Sequence, residues 1–265
     1  MKVKTPVETA AAALEAGCGK ASLTSPRSFG RLMALAIAAG AYIALGGALS
    51  FVVGNGMPGI SAANPAIAKL MSAVMFPIGL ILIVVLGGEL FTGNNALLMP
   101  PLIKKRVGLA RVAANWALVY CGNAVGAVAF AAVMVWGVGL TAPEPWHTAA
   151  VNLGVAKCSM PWLTVFVKGI GANWCVCLAV WLALSGHSLI EKMAGCFLPV
   201  MGFVALGYEH SIANMFFVPL AMLEGSPVGV GQFITANLIP ATLGNIAGGA
   251  LFVGSLFSWI HLRRD

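Results

Sequence analysis

The chain has 265 residues, of which 60% are hydrophobic and only 9% are charged. A soluble domain has too little interior to bury so large an apolar share, so the composition excludes an ordinary soluble protein and indicates a polytopic membrane protein. The formal net charge of +7 is therefore interpreted by where the basic residues lie relative to the bilayer, and not as a sign of nucleic-acid binding.

The first segment, about residues 1–28, is charged and lacks the compact apolar core of a cleavable signal peptide. Thr5 is predicted to be the N-cap of a helix, with Pro6 at the first helical position and Glu8 completing a capping box. The alanine-rich stretch that follows favours a helix lying on the membrane surface, and we expect it on the cytoplasmic side.

Apolar segments long enough to cross a bilayer, roughly 20 residues each, follow along the chain. Four are uninterrupted, at about 32–53, 112–138, 162–185 and 229–260. Two more, at about 68–102 and 193–223, are interrupted around Glu89–Asn95 and Glu209–His210. The predicted fold class is therefore an all-α integral membrane protein with six transmembrane helices, of which helices 2 and 5 are broken.

Six spans place both termini on the same side of the membrane. If that side is the cytoplasm, the inner segments contain 12 of the 15 basic residues, namely Lys2, Lys4, Lys20, Arg27, Arg31, Lys104, Lys105, Arg106, Arg111, Lys192, Arg263 and Arg264. This asymmetry follows the positive-inside rule and predicts a multi-pass membrane protein with cytoplasmic termini.

The two interrupted segments share a motif. Residues 87–94 read GGELFTGN and residues 207–214 read GYEHSIAN, so Gly, Glu and Asn recur at a constant offset of 120. The next spans repeat as well, because Gly122-Asn123 recurs as Gly244-Asn245. Each copy has three spans, an odd number, so the copies must be inverted in the membrane, as in transporters and channels whose pathway crosses the midplane.

The predicted organisation is one domain over residues 1–265. It comprises the N-terminal helix in 1–28, a first repeat over 30–138 and a second repeat over 160–260. Residues present in both copies are interpreted as structural, and these are Glu89, Glu209, Asn94 and Asn214 at the helix breaks. His210 and Thr92 are matched by Leu90 and Ile212, so these unrepeated polar residues are the candidates for contact with a substrate.

Three motifs together, ELFTGN, GANWCVCLAVW and GYEHSIANM, resemble those of the formate/nitrite transporter family. The resemblance extends over essentially the whole chain. It implies an aquaporin-like fold, a homopentamer with a pore in each protomer, and a place in the cell inner membrane. It also implies conduction of small monovalent anions of weak acids, among them formate, nitrite and hydrosulfide.

The resemblance further implies roles for individual residues. His210 would be the central pore histidine, and Thr92, in the loop that breaks span two, would be its hydrogen-bonding partner. Asn173 would be the pore asparagine of span four and Lys157 the lysine of the outer vestibule. The inner constriction would consist of Leu90, Phe91 and Val176, and the outer one of Phe76, Leu80 and Phe203. The mechanism is a separate hypothesis: His210 either binds the anion or passes it a proton. We favour proton exchange, since a neutral acid crosses an apolar constriction more easily than its anion.

Two other functions remain open from the residues alone. One is an aquaporin-like channel for neutral solutes, because Asn64-Pro65-Ala66 spells the aquaporin tripeptide, although it occurs once and in a predicted loop. The other is a membrane enzyme or haem protein, which is disfavoured because only His210 of the four histidines lies deep in a predicted span. No catalytic residues, metal, cofactor or nucleic-acid partner are predicted, and the role of Lys168 in span four stays open.

Overall fold

A computed structural model describes residues 3–262, and all of its regular secondary structure is helical. Five helical segments are long and apolar enough to cross a membrane: Pro26–Asn55, Pro65–Leu86, Leu109–Val138, Trp162–Ser185 and Val230–His261. The four uninterrupted spans expected from the sequence lie in four of these segments, to within one residue at the start of the last. Lys2, Arg263 and Arg264, which contributed to the charge argument above, lie outside the described residues.

The first half of the chain forms eight helices joined by short turns. They are α1 (Pro6–Ser22), α2 (Phe29–Asn55), α3 (Pro58–Ala63), α4 (Pro65–Met75), α5 (Ile78–Leu86), α6 (Phe91–Leu97), α7 (Met99–Ile103) and α8 (Leu109–Ala132), which continues as the π-helix π1 (Val133–Val138). A single 3-10 turn, Pro26–Ser28, leads into α2.

The second half follows a similar plan. It contains α9 (Trp146–Cys158), α10 (Trp162–Ser185), α11 (Leu189–Ala205), α12 (Ser211–Leu223) and the short α13 (Val230–Gln232). The last span is built from α13, the π-helix π2 (Phe233–Leu238), α14 (Ile239–Ile246), the π-helix π3 (Ala247–Ser255) and α15 (Leu256–His261). The sequence pattern contained no sign of the three π segments.

The N-terminal helix begins where the sequence predicts. Thr5 is its N-cap in extended conformation, Pro6 occupies the first turn, and the capping box with Glu8 is complete in both directions. The buried face of α1 includes Ala10, Ala13 and Leu14, so the alanine-rich stripe packs on the rest of the protein instead of lying free on a membrane surface.

Each interrupted segment consists of two helices separated by four or five non-helical residues. In the first half α5 ends at Leu86 and α6 begins at Phe91, and in the second α11 ends at Ala205 and α12 begins at Ser211. Each turn contains a glycine in left-handed conformation, with φ of 87° at Gly87 and 68° at Gly207, a region that costs other residues energy. The first break therefore lies earlier than expected, and Thr92 belongs to the first turn of α6, not to the loop.

The repeated Gly-Asn pair marks two close helix crossings. A Cβ atom on Gly122 would lie 2.5 Å from the Cβ of Ala36, and one on Gly244 would overlap the carbonyl oxygen of Phe166. Glycine at these positions lets α8 approach α2, and α14 approach α10, backbone to backbone. The neighbouring asparagines are thereby brought to the breaks before α6 and α12.

Candidate functional site

The centre of the candidate site is a contact between the two short helices. The Thr92 Oγ1 atom lies 3.0 Å from His210 Nε2, so the first turn of α6 meets the N-cap of α12. Both side chains are buried, His210 with 2% of its surface exposed and Thr92 with none. The ring of Phe203 stacks beside the imidazole, with centroids 5.9 Å apart. The structure thus brings together the two unrepeated polar residues singled out from the sequence.

The hydrogen bonds of His210 define its tautomer. Its Nδ1 accepts the backbone N–H of Ala213 at 3.1 Å and so caps α12. A nitrogen that accepts a hydrogen bond has no proton of its own, so in this conformation the ring is neutral with its hydrogen on Nε2. Nε2 therefore donates to Thr92 Oγ1, and the hydroxyl hydrogen of Thr92 is free to point toward another acceptor.

Glu209, beside His210, is held by a network of lysine and asparagine side chains. Lys157 on α9 donates to both carboxylate oxygens of Glu209, at 2.9 and 3.0 Å. Asn214 donates to Glu209 Oε2 and to Asn237 Oδ1, both at 2.7 Å, while Asn237 donates to the backbone oxygen of Lys157 at 3.0 Å. The negative charge of Glu209 is thus paired, as a buried charge requires.

An equivalent network surrounds Glu89, and it includes a lysine that sequence reasoning missed. Lys20 on α1 pairs with Glu89 at 2.8 Å. Asn94 donates to Glu89 Oε2 at 2.8 Å and to Asn115 Oδ1 at 2.9 Å, and Asn115 donates to the backbone oxygen of Lys20 at 3.2 Å. Lys20 therefore takes the place that Lys157 has in the second half. The sequence gives little sign of this role, because Lys20 lies before the first predicted span and outside the predicted repeats.

A third pair of asparagines fixes the non-helical residues at each break. Asn123 donates to the Glu89 carbonyl at 2.9 Å and accepts from the Phe91 backbone N–H at 2.9 Å. Asn245 does the same with the Glu209 carbonyl at 3.0 Å and the Ser211 backbone N–H at 2.8 Å. Backbone groups that the breaks leave without helical partners are thus satisfied by side chains, as irregular backbone at membrane depth requires.

Asn173 lies behind Thr92 and braces its backbone. Its Nδ2 atom contacts three acceptors: the Thr92 carbonyl at 3.2 Å, Asn95 Oδ1 at 3.1 Å and the Asn245 carbonyl at 2.6 Å. Cys177, one turn along α10, also points its sulfur at the Thr92 carbonyl, at 3.3 Å. Asn173 lines neither of the two cavities described below, and its assignment to the pore wall stays a prediction.

Two cavities approach the Thr92–His210 contact from opposite sides. The α9-side cavity, of about 340 Å³, is lined by Lys157 of α9 and by Glu209, His210 and Asn214. The α1-side cavity, of about 230 Å³, is lined by residues of α1, α5, α6, α10 and α11. His210 lines the α9-side cavity, and Leu90 and Gly93, on either side of Thr92 in the sequence, line the α1-side cavity, so the Thr92–His210 contact lies between the two.

The residues predicted to form the inner and outer constrictions do not divide between the two cavities in the same groups. Phe76 and Phe203 line the α9-side cavity, with ring centroids 5.6 Å apart, and Leu90 lines the α1-side cavity. Leu80, assigned above to the same group as Phe76, lines the α1-side cavity with Leu90, because it lies one turn further along the span than Phe76.

The remaining two constriction residues line neither cavity. Phe91 is buried and packs edge-to-face on Tyr120, with ring centroids 4.8 Å apart. Val176 is buried on α10, one residue before Cys177. Their assignment to the inner constriction stays a prediction.

Comparison with known proteins places the chain in a family. The family model for the formate/nitrite transporter matches residues 7–259. This chain belongs to the formate/nitrite transporter family. It is 38% identical to a "Probable formate transporter" of Methanothermobacter thermautotrophicus, with 98% of each chain covered.

Solved structures of family members are similar over most of the chain. An "FNT family ion channel" superposes with a TM-score of 0.86 at 30% identity, covering 96% of this chain and 98% of that one. A "Pentameric formate channel with formate bound" superposes with a TM-score of 0.79 at 32% identity, covering 90% of this chain and 100% of that one. The fold is therefore that of a multi-pass, all-helical membrane protein of the formate/nitrite transporter family.

Lys168, whose role the sequence left open, and Asn64 have no side-chain hydrogen bond to Thr92 or His210 within residues 3–262. The Lys168 amino group lies 3.6 Å from the sulfur of Met160, while its backbone oxygen accepts from the Glu209 N–H at 3.3 Å. Asn64, of the single aquaporin-like tripeptide, precedes the first residue of α4 and is exposed. Neither lines the two cavities.

Proposed function

We propose that this protein is a channel or transporter for small monovalent anions of weak acids, with formate as its substrate and nitrite and hydrosulfide as further candidates. The observation that carries the proposal is the buried Thr92–His210 contact, 3.0 Å long, at the meeting point of two cavities. The formate-named relative and the formate-bound structural neighbour support formate among the weak acids.

The proposed topology has six spans in two inverted repeats. The pair α11 and α12 forms the fifth span, since together they cover residues 189–223 although neither is long enough alone. The matching networks around Glu89 and Glu209 support the repeat, because each lysine, glutamate and asparagine finds its counterpart in the same hydrogen-bonding role. The domain extends over 1–265, with 1–28, 30–138 and 160–260 as its parts.

We assign the α1-side cavity to the cytoplasm and the α9-side cavity to the exterior, with both termini in the cytoplasm and the protein in the cell inner membrane. The positive-inside rule supports this orientation. The proposed assembly is a homopentamer in the lipid bilayer, and the pentameric formate channel that superposes on this chain supports it.

The anion meets two opposing demands along this pathway. The buried centre is apolar enough to remove water, which is unfavourable for a bare anion by several kcal/mol. The free hydroxyl hydrogen of Thr92 and the N-terminal end of α12 provide the compensating hydrogen-bond donor and partial positive charge. Lys157 and Lys20, each beside a paired glutamate, place one cation at either approach.

Proton exchange at His210 adds a condition to this pathway. A neutral imidazole with its hydrogen on Nε2 is not an acid at physiological pH, so the ring must first gain a proton on Nδ1. That nitrogen accepts the N–H of Ala213, and protonation therefore requires the α12 cap to open. We propose that uptake of a proton and loosening of this cap occur together when a weak acid is carried with its proton.

Replacement of His210 by asparagine separates its role as the N-cap of α12 from its role in proton exchange. Asparagine is a good N-cap residue, so H210N retains the cap on α12 while it removes the titratable ring. We expect formate flux in proteoliposomes to fall by about 100-fold, the scale typical of a lost acid–base group, and the remaining flux to lose its pH dependence. The matched control is H187N, because His187 is exposed and outside both cavities.

A normally folded H210N protein with wild-type flux and an unchanged pH profile would contradict the proton-exchange proposal. Glycerol permeation without formate flux would contradict the anion pathway as a whole and favour the neutral-solute channel.

A further inference from the structure

A tyrosine beside the central contact lies where the first half of the chain has no side chain. At the offset of 120 that relates the two breaks, Tyr208 is matched by Gly88. The N–H of Gly88 donates to the Ile83 carbonyl at 2.9 Å. The N–H of Tyr208 donates to the Phe203 carbonyl at 3.1 Å, at the same offset. Glycine therefore suffices for the backbone of the break, and the tyrosine side chain has a purpose that the shared scaffold does not explain.

Tyr208 and Gly88 also occupy equivalent places beside the two cavities. Tyr208 lines the α9-side cavity, and Gly88 lines the α1-side cavity. Glu209 and His210, which follow Tyr208 in the sequence, line the same cavity as the tyrosine. The two approaches to the central contact therefore differ, because one has a phenol side chain where the other has a glycine.

A glycine on α10 fixes the position of the tyrosine ring. A Cβ atom on Gly171 would lie 2.5 Å from Tyr208 Cε2 and 2.8 Å from both Cδ2 and Cζ. The ring therefore packs directly on the α10 backbone, at a distance that only glycine permits. This contact restricts the side chain and gives its hydroxyl group a defined place.

The hydroxyl group of Tyr208 has no partner within the part of the chain that the structure describes. It forms no hydrogen bond among residues 3–262, whereas the hydroxyl of Tyr120 shares one with Thr242 at 2.7 Å. A tyrosine hydroxyl can donate and accept. On a half-buried side chain, such a group is satisfied by water or by a solute. The hydrogen of this hydroxyl is therefore available to a solute in the α9-side cavity.

We propose that the Tyr208 hydroxyl donates a hydrogen bond to the substrate in the α9-side cavity and favours oxyanions, such as formate and nitrite, over hydrosulfide. This inference rests on the proposed function. A hydroxyl group forms a strong, charge-assisted hydrogen bond with an anionic oxygen, whereas sulfur is a weak acceptor. The contact therefore lowers the half-saturating concentration of an oxyanion and contributes little to the binding of hydrosulfide.

The experiment measures uptake of radiolabelled formate into right-side-out membrane vesicles containing the full-length protein, with nitrite and hydrosulfide as competitors. The variant Y208F removes only the hydroxyl group and retains the ring that packs on Gly171. We expect the half-saturating concentration of formate and the inhibition constant of nitrite to rise about three- to tenfold, the scale of one partly exposed hydrogen bond to a charged group. The inhibition constant of hydrosulfide should change by less than about twofold.

The matched control is Y42F, which makes the same chemical change away from the pathway. Tyr42 is half-buried on α2 and lines neither cavity. We expect Y42F to leave the constants for formate, nitrite and hydrosulfide as in the wild type. A rise for formate in Y42F as large as that in Y208F would contradict a specific contact at Tyr208.

A second variant moves the hydroxyl group without removing it. G171A places a methyl group against the Tyr208 ring, so the ring must shift. We expect the constants for formate and nitrite to rise as in Y208F, with little change for hydrosulfide. The double variant Y208F/G171A should show no further rise, because the two changes remove the same contact. Additive effects in the double variant would contradict the role of Gly171 in positioning the hydroxyl.

The outcomes separate this inference from the proposed function. A Y208F protein with the melting temperature and the formate constant of the wild type would overturn the role of Tyr208 and leave the anion pathway intact. Equal rises for formate, nitrite and hydrosulfide would overturn the preference for oxyanions. Wild-type vesicles that take up no formate at all would overturn the proposed function itself.

Discussion

At the scale of single residues, a buried ionisable side chain that occurs in both repeats differs in role from one that occurs in a single repeat. Glu89 and Glu209 each have a lysine partner and an asparagine donor within 3.0 Å. Such pairing compensates the loss of hydration that burial imposes on a carboxylate. His210 has no counterpart in the first half, where Leu90 caps α6 without a side-chain hydrogen bond. The unrepeated residue is therefore free to differ in function from the scaffold that holds it.

A substitution at Asn173 tests whether this residue holds the backbone of Thr92 in place. Its Nδ2 atom has three acceptor oxygens within 3.2 Å, so replacement by aspartate in N173D would set a carboxylate against three oxygens in a buried space. We expect a loss of about 3 kcal/mol or more in stability, as for other buried polar groups whose partners are lost. The measurement is the thermal unfolding temperature in detergent.

The matched control for N173D is N152D, because Asn152 is exposed on α9 and the same chemical change occurs there in contact with solvent. Equal melting temperatures for N173D and the wild type would show that Asn173 is not a brace. Reduced transport at unchanged stability would instead return it to the pore wall.

At the scale of helices, some features could be predicted from the sequence and others could not. The break before α12, the paired glutamates and the cap at Thr5 follow local rules, in which glycine, carboxylate and hydroxyl groups act within a few residues. Lys20 and the placement of Leu80 depend on how helices distant in sequence pack together, and single-span patterns contain no such information. The π-helices are invisible for a further reason, since a wider turn leaves the apolar composition of a span unchanged.

The π-helix π3 offers a prediction at this scale. It presents Gly249 to the buried cluster behind Thr92, where an added Cβ would lie 2.5 Å from Asn173 Nδ2, 2.9 Å from Cys177 Sγ and 3.0 Å from Asn95 Cβ. All three distances are too short for unstrained contact, so G249A should lose about 1–3 kcal/mol of stability. The measurement is again thermal unfolding, together with formate flux.

The control is G202A on α11, where an added Cβ meets nothing within 4 Å and where alanine favours the helix. We expect G202A to be as stable as the wild type or more so. If G249A and G202A have the same stability, the cluster behind Thr92 adapts to an extra methyl group and does not fix the position of α6.

At the scale of the whole molecule, one chain supplies both residues of the Thr92–His210 contact and both members of each lysine–glutamate pair. If the protein assembles as a pentamer, each protomer should then conduct independently of its neighbours. A pathway along the common fivefold axis would behave differently, because all five protomers would line it and one altered protomer would affect the whole assembly.

Mixed assemblies distinguish these two arrangements. Co-expression of wild-type and H210N chains with different affinity tags gives pentamers of graded composition, and native mass spectrometry measures the composition while proteoliposome flux measures the activity. Independent pores predict that flux falls in proportion to the wild-type fraction, to about half when half of the chains are variant. A shared axial pore that needs five intact chains predicts about 3% at the same composition. The linear result is expected here, because Thr92 and His210 meet within a single chain, and a steep curve would place the pathway between protomers.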